Sequence, residues 1–190
     1  MWYIDRDLNI DIGMFVYEMF RKRVLNTTVR AIRMAKVQVY YGTGAGKTSA
    51  ALGNAIKAVS NGASVIIIQF LKGMLDEEFI KRLEPEIRAF RFERSSACFC
   101  DLSEEEKTEE KQNILNGLNF AKKVLTTGEC DVLVLDEVLG LVDEGLITEG
   151  ELAEIMKCGF PSTQLIATGT KLPPAIREAA DQVLQIVAEK

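Results

Sequence analysis

The chain has 190 residues, 47% of them apolar, which is enough to bury one hydrophobic core and predicts a single globular domain. Lys and Arg number 23 against 28 Asp and Glu, so a formal charge of −5 excludes nucleic acid or an anionic membrane as a partner through bulk charge, and any phosphate has to be held locally. There is no histidine, which excludes Ser-His and Cys-His catalysis and His-ligated metals; no apolar run approaches the roughly 20 residues of a membrane span, and charges at Asp5, Arg6 and Asp7 stand where a signal peptide would be apolar, so the expected location is cytoplasmic.

Residues 1–33 differ in texture from the rest of the chain. Met14, Phe15, Tyr17, Met19 and Phe20 are large apolar groups close together, and Arg21, Lys22, Arg23, Arg30 and Arg33 then make the segment basic within an acidic chain. It is expected as an N-terminal extension, helical or disordered, ahead of a domain spanning residues 34–190. Two readings stand: an addition upstream of a start at Met34, or a helix that packs over the functional site.

From there the predicted elements alternate. A strand over Val37 to Tyr41 leads through a glycine-rich loop into a helix from about Lys47 to Asn61, stopped by Gly62. Val65 to Phe70, apolar but for Gln69, lacks the alternation of a half-exposed sheet and reads as a buried parallel strand, with Ile87 to Phe92 a weaker strand after it. Ser103, three residues before Glu106, fits a capping box opening a helix whose apolar residues Ile114, Leu118, Ala121 and Leu125 recur at helical spacing up to Gly128. The acidic run Glu104, Glu105, Glu106, Glu109 and Glu110 is expected as the solvated first turns of that helix rather than a metal cluster.

Val132 to Leu135 is an uninterrupted apolar strand. Thr148 with Glu151 marks a shorter helix, Gln164 to Thr168 a further strand, Pro173-Pro174 the opening of a last helix, and Gln182 to Val187 a weaker last strand. Cys98, Cys100, Cys130 and Cys158 form a C-x-C pair and two singles, a spacing unlike a zinc site, and are expected as reduced thiols. Strands alternating with helices predict an α/β fold with a mostly parallel sheet and helices on both faces.

The most specific chemistry lies in Gly42-Thr43-Gly44-Ala45-Gly46-Lys47-Thr48, placed between a strand and a helix N-terminus. Glycines let backbone N–H groups turn onto phosphate oxygens, the helix terminus adds partial positive charge, Lys47 a full one, and the Thr48 hydroxyl can ligate Mg²⁺; Ser49 shares the first helical turn. This predicts a RecA-like P-loop NTPase fold. The loop is one residue tighter than G-x-x-x-x-G-K-[ST], whose first glycine would fall on Tyr41, so phosphoryl transfer does not follow from the motif alone. The partner half of such a site is a carboxylate ending an apolar strand, and Asp136 and Glu137 are the expected magnesium-side acids; read otherwise, they are a helix N-cap and its neighbour.

From Val37 onward the chain resembles the P-loop type of cobalamin adenosyltransferases, the family that adenosylates cobyrinic acid a,c-diamide and later corrinoids. The resemblance rests on the tight loop, Ala50-Ala51-Leu52-Gly53, Gln69-Phe70-Leu71-Lys72-Gly73, Leu135-Asp136-Glu137, Thr168-Gly169, Pro173-Pro174 and Ala180-Asp181, in that order and spacing. It implies that ATP binds the P-loop in reverse orientation and that Co(I) of a corrinoid attacks the ribose 5′ carbon, expelling triphosphate. It further implies Mg²⁺, with Mn²⁺ as an alternative, an electron donor of the reductase or flavodoxin type, and leaves a homodimer open. Such a cobalt centre is itself the nucleophile, so a chain without histidine can serve.

The family's Phe-x-Trp-Glu segment is matched by Phe90-Arg91-Phe92-Glu93. By that resemblance Phe90 and Phe92 hold the lower axial ligand off cobalt, while on the residues alone they read equally as core phenylalanines on one face of a strand. Three departures stand out: Ala45 replaces a lysine, Thr170 replaces the arginine of Thr-Gly-Arg, and the chain stops at Lys190 without the basic, histidine-containing tail. Lys171 is a candidate to replace the lost arginine charge, or else a solvated loop lysine. Two other functions fit parts of the pattern: a P-loop ATPase or GTPase coupling hydrolysis to conformational change, and a non-catalytic corrinoid-binding relative.

Overall fold

The computed structural model of the protein describes residues 37–71, 78, 81–92, 102–159 and 162–189. The expectations on residues 1–33, Lys72, Gly73, Glu93, Cys98, Cys100 and Lys190 lie outside these.

Among the described residues six strands form one sheet: β1 (Val37–Tyr41), β2 (Val65–Gln69), β3 (Ile87–Arg91), β4 (Val132–Asp136), β5 (Gln164–Gly169) and β6 (Gln182–Gln185). Every pairing is parallel, in the order β3-β2-β4-β5-β1-β6. The helices are α1 (Lys47–Val59), α2 (Glu104–Thr127), α3 (Gly140–Asp143), α4 (Glu149–Lys157) and α5 (Pro174–Ala179). β2 and β4 are buried along their whole length, the terminal Gln69 and Asp136 included, as apolar runs require when both faces of a sheet are covered.

The two faces make two cores. On one, α1 lays Ala51 and Ala55 against Tyr40, Val65, Ile67, Val132, Val134 and Ile166, and the small alanines let it sit close to the strands. On the other, α2, α4 and α5 supply Ile114, Leu118, Val124, Leu152, Met156 and Ile176 against Val39, Ile66, Ile68, Leu133 and Leu135. Both expected capping boxes are formed: Ser103 with Glu106 opens α2 and Thr148 with Glu151 opens α4, while Gly128 closes α2 in the left-handed region at φ 65°.

Three expectations need correction. The first helix ends at Val59, because Ser60 already caps it. Glu110 is not part of the solvated acidic run but 5% exposed, since α2 turns that position inward one turn after Glu106. Asp136 and Glu137 are not an N-cap: Asp136 closes β4, and the next helix, α3, is capped at Leu139. The four-residue α3 is too short to leave a periodic signal in the sequence.

Because all strands are parallel, their C-terminal ends share one edge, and the segments after β1, β2, β4 and β5 converge there. One strand, β5, separates the P-loop strand β1 from the acid-bearing strand β4. This is the RecA-like arrangement.

Candidate active site

The glycine-rich loop leaves β1 at Gly42, whose φ of 123° lies in a region that L side chains avoid. Its N–H donates to the carbonyls of Gly169 (3.2 Å) and Thr170 (3.0 Å), tying the loop's first residue to the end of β5. Two residues on, the Gly44 N–H donates to the Ile186 carbonyl at 3.0 Å, and the Ile186 N–H returns to Tyr41 at 2.7 Å. The first half of the tight loop is therefore pinned to the chain leaving β6. The second half opens α1: Gly46 is its N-cap, and no side chain caps it, so the first-turn N–H groups of Lys47, Thr48 and Ser49 are left to an anion. Thr43 and Ala45 are exposed on the loop and Ser49 in the first turn of α1.

Lys47 is only 8% exposed and curls over its own loop, donating to the Gly42 carbonyl at 2.9 Å and the Gly44 carbonyl at 3.2 Å. Its ammonium lies 4.0 Å from Glu137. Thr48 turns the other way, to Asp136: its hydroxyl donates to that carboxylate at 2.9 and 3.2 Å. Asp136, 1% exposed, also accepts the Thr168 hydroxyl at 2.8 Å. The Thr168 oxygen in turn accepts the Glu137 N–H at 2.8 Å.

Thr168 thus holds both acids. Its carbonyl also accepts the Leu139 N–H at 3.1 Å, so β5 grips the turn after β4 from both sides, and Glu137 is kept at φ 57°, a left-handed conformation uncommon for a non-glycine residue and concentrated at functional sites. Gly169 makes the approach possible, because a Cβ there would come 2.3 Å from Leu139 Cβ. Burial raises the Glu137 carboxyl above the usual carboxylate range; Lys47 opposes the shift, and the charges of Asp136 and Asp143 add to it.

The structure therefore brings Lys47, Thr48, Asp136 and Glu137 together with the loop Gly42 to Gly46. The oxygen set of Thr48, Asp136 and Glu137 suits a hard divalent cation. Lys171 stands beside the loop but outside this cluster, 75% exposed and 3.8 Å from Asp143, a solvated pairing of small energetic weight.

Phe90 and Phe92 sit elsewhere. Phe90 lies in β3, at the edge of the sheet among the described residues, and Phe92 just past its end, four inter-strand steps or about 19 Å from β1 and on the α2 face rather than the α1 face. Phe90 meets Phe120 of α2 edge-on with ring centroids 4.8 Å apart, and Phe92 meets the same ring at 5.8 Å. Gly117 lets Phe92 lie on the helix, since a Cβ there would touch that ring at 2.9 Å.

Sequence reasoning did not single out Thr168 as a site residue, nor Ile186 as the loop's anchor. Thr168 carries a readable signal, a hydroxyl directly after the apolar Leu-Ile-Ala of its strand; Ile186 carries none, since it anchors the loop through its backbone.

The family model for ATP:corrinoid adenosyltransferase BtuR/CobO/CobP matches residues 33–190. The chain is 28% identical over 148 residues to the corrinoid adenosyltransferase of Escherichia coli K12, covering 78% of this chain and 74% of that one. It is also 28% identical over 172 residues to an uncharacterized protein of Nostoc sp. PCC 7120, covering 80% of this chain but 44% of the other, so it spans less than half of that protein's length. Flagellar accessory protein FlaH of Methanocaldococcus jannaschii aligns with a TM-score of 0.48 at 18% identity, over 84% of this chain and 76% of that one. No described helix is long and apolar enough to cross a membrane. By the family match over residues 33–190, the chain belongs to the ATP:corrinoid adenosyltransferases.

Proposed function

We propose that this protein transfers the 5′-deoxyadenosyl group of ATP to the Co(I) centre of a corrinoid and releases inorganic triphosphate. The observation that carries the reading, beside the family, is the phosphate cradle: an uncapped helix N-terminus with Lys47 buried over it and the Thr48–Asp136–Thr168 network beneath. In the transfer the cobalt electron pair forms the Co–C5′ bond, the C5′–O bond breaks with its pair going to the leaving triphosphate, and cobalt ends formally as Co(III).

The chain's part is to bind, orient and neutralise. The first-turn amides of α1 are held by the helix where they face the anion on which negative charge accumulates, so little reorganisation on their part opposes the step, and the Lys47 ammonium joins them. For Lys47 to reach phosphate it exchanges its hydrogen bonds to the Gly42 and Gly44 carbonyls for phosphate oxygens. Thr48, Asp136 and Glu137 would hold Mg²⁺, which supplies further charge neutralisation of the triphosphate. Phe90 and Phe92 are assigned to the corrinoid side, keeping the lower axial ligand off cobalt so that an electron donor of the reductase or flavodoxin type can reduce it. No step needs a protonating side chain, in keeping with a chain that has no histidine.

A second reading has one observation in its favour: Glu137, directly after Asp136 and with raised proton affinity, stands where a base for ATP hydrolysis would. Anaerobic incubation with ATP, Mg²⁺ and chemically reduced cob(I)alamin separates the two. A light-sensitive adenosylcobalamin spectrum with stoichiometric triphosphate supports transfer; ADP and phosphate without a cobalt spectral change would replace it with hydrolysis.

A further inference from the structure

Among the buried side chains of the described residues, one polar atom has no hydrogen-bond partner: Nε2 of Gln69, on a residue 5% exposed. A folded protein rarely leaves a buried donor unused, and it tolerates one where a bound group completes the set. The position of Gln69 says which group. It ends β2, paired in register with Asp136 of β4 on one side and Arg91 of β3 on the other.

Side chains alternate along a strand, so Gln69 shares the face of Val65 and Ile67, which pack under α1. Asp136 shares the corresponding face with Val132 and Val134, and Thr168 with Ile166. The C-terminal edge of the sheet therefore carries a polar row on the α1 face, Thr168, Asp136, Gln69 and Arg91, beginning at the hydroxyl network that joins Thr48 to Asp136. The phenylalanines assigned to the corrinoid lie on the opposite face. A ligand that satisfies Gln69 is thus the one held by the P-loop.

We propose that Gln69 is a nucleotide-binding residue whose carboxamide N–H donates to an acceptor oxygen of ATP, beyond Asp136 from the P-loop. The inference rests on the reading of the loop as an ATP site and not on the transfer step. A carboxamide also suits the place chemically: its N–H can donate to a phosphate or ribose oxygen, whereas a carboxylate at position 69 would offer that oxygen only another acceptor.

The test is Gln69→Met, which keeps length and removes the donor, together with Gln69→Glu, which keeps shape and replaces the donor with an anionic acceptor. Calorimetry with MgATP, magnesium tripolyphosphate and hydroxocobalamin reads binding without turnover, so it stays informative even if the wild-type protein makes no adenosylcobalamin. Gln69→Met is expected to weaken MgATP about tenfold while the ligand-free protein melts at the same or a higher temperature, because an unpaired buried amide has been removed. Gln69→Glu is expected to weaken MgATP further. A matching loss for tripolyphosphate assigns the oxygen to the phosphate chain, and a loss confined to ATP assigns it to the ribose side. Unchanged MgATP affinity in both variants, or a loss confined to hydroxocobalamin, would overturn the proposal.

Discussion

The backbone N–H of Gly44 in the phosphate loop donates 3.0 Å to the carbonyl of Ile186, just past the last strand of the sheet. The contact explains why two of the loop's glycines are needed for space as well as for phosphate. A Cβ on Gly42 would lie 2.2 Å from the Ile186 carbonyl oxygen, and one on Gly44 would lie 2.9 Å from Ile186 Cγ2 and 3.1 Å from the Val187 carbonyl carbon. Gly42→Ala meets backbone, and at φ 123° it also strains its own conformation. Gly44→Ala meets mainly a side-chain methyl. We expect each to destabilise by about 1 to 3 kcal/mol, Gly42→Ala more. Adding Ile186→Ala should return part of the loss for Gly44→Ala and none for Gly42→Ala. Denaturant melts of the four variants check this; equal rescue of both would place the clash elsewhere.

Lys47, Thr48, Asp136 and Glu137 form one cluster with separable tasks. Lys47→Ala removes the full charge over the cradle and should lower the adenosylation rate about 100-fold, by loss of stabilisation of the leaving triphosphate. Asp136→Asn should be the most destabilising of the changes in this cluster, because Asp136 is buried and accepts both the Thr48 and Thr168 hydroxyls. Glu137→Gln leaves that network intact and should act on the Mg²⁺ requirement, raising the concentration for half-maximal rate. A Mg²⁺ titration of each variant, alongside its melting temperature, distinguishes the roles. An unchanged titration for Glu137→Gln would leave the cation to Thr48 and Asp136.

The capping boxes give a pH prediction. Hydrogen bonds from the Ser103 and Thr148 backbone and side chains hold the carboxyls of Glu106 and Glu151 below the usual range. A carboxyl whose folded pKa is lowered contributes stability that is fully present above its unfolded pKa, about 4.3, and is lost as pH falls through the lower folded value. Ser103→Ala and Thr148→Ala should therefore lower the melting temperature at neutral pH by more than they do near pH 3. Melts across pH 3 to 7 check it, and a deficit independent of pH would assign the loss to the hydroxyl contacts alone.

Much of this was legible because it is local. A strand, a glycine loop and Lys-Thr in sequence specify the cradle, and a run such as Val-Leu-Val-Leu-Asp-Glu specifies a buried strand with acids at its end, since side-chain period and burial are written into successive residues. What was hidden depends on pairing between distant segments. Nothing near Gly44 points to Ile186, 142 positions away, because the contact uses only a main-chain carbonyl. Nothing near Glu137 announces its left-handed turn, which Thr168 imposes from the neighbouring strand. Glu110 was misread because an acidic run looks uniformly solvated until the helix phase is known.

Phe90 and Phe92 carry the sharpest contrast between two roles. Both pack on Phe120 of α2, so alanine at either will cost packing whatever else it does, about 3 to 5 kcal/mol if the site does not collapse. Phe120→Ala supplies the control, because it removes the shared packing partner while leaving the two motif rings in place. If Phe90 and Phe92 keep the lower axial ligand off cobalt, their alanine variants should lose reaction from a Co(II) start by at least tenfold more than reaction with preformed cob(I)alamin, since the role precedes alkylation. Phe120→Ala should lower the melting temperature comparably and slow both reactions equally. Assays from the two cobalt states at a temperature where all three variants are folded decide the matter. If Phe90→Ala and Phe92→Ala lose both reactions in the same proportion as Phe120→Ala, the rings are core residues and the corrinoid is handled by other side chains.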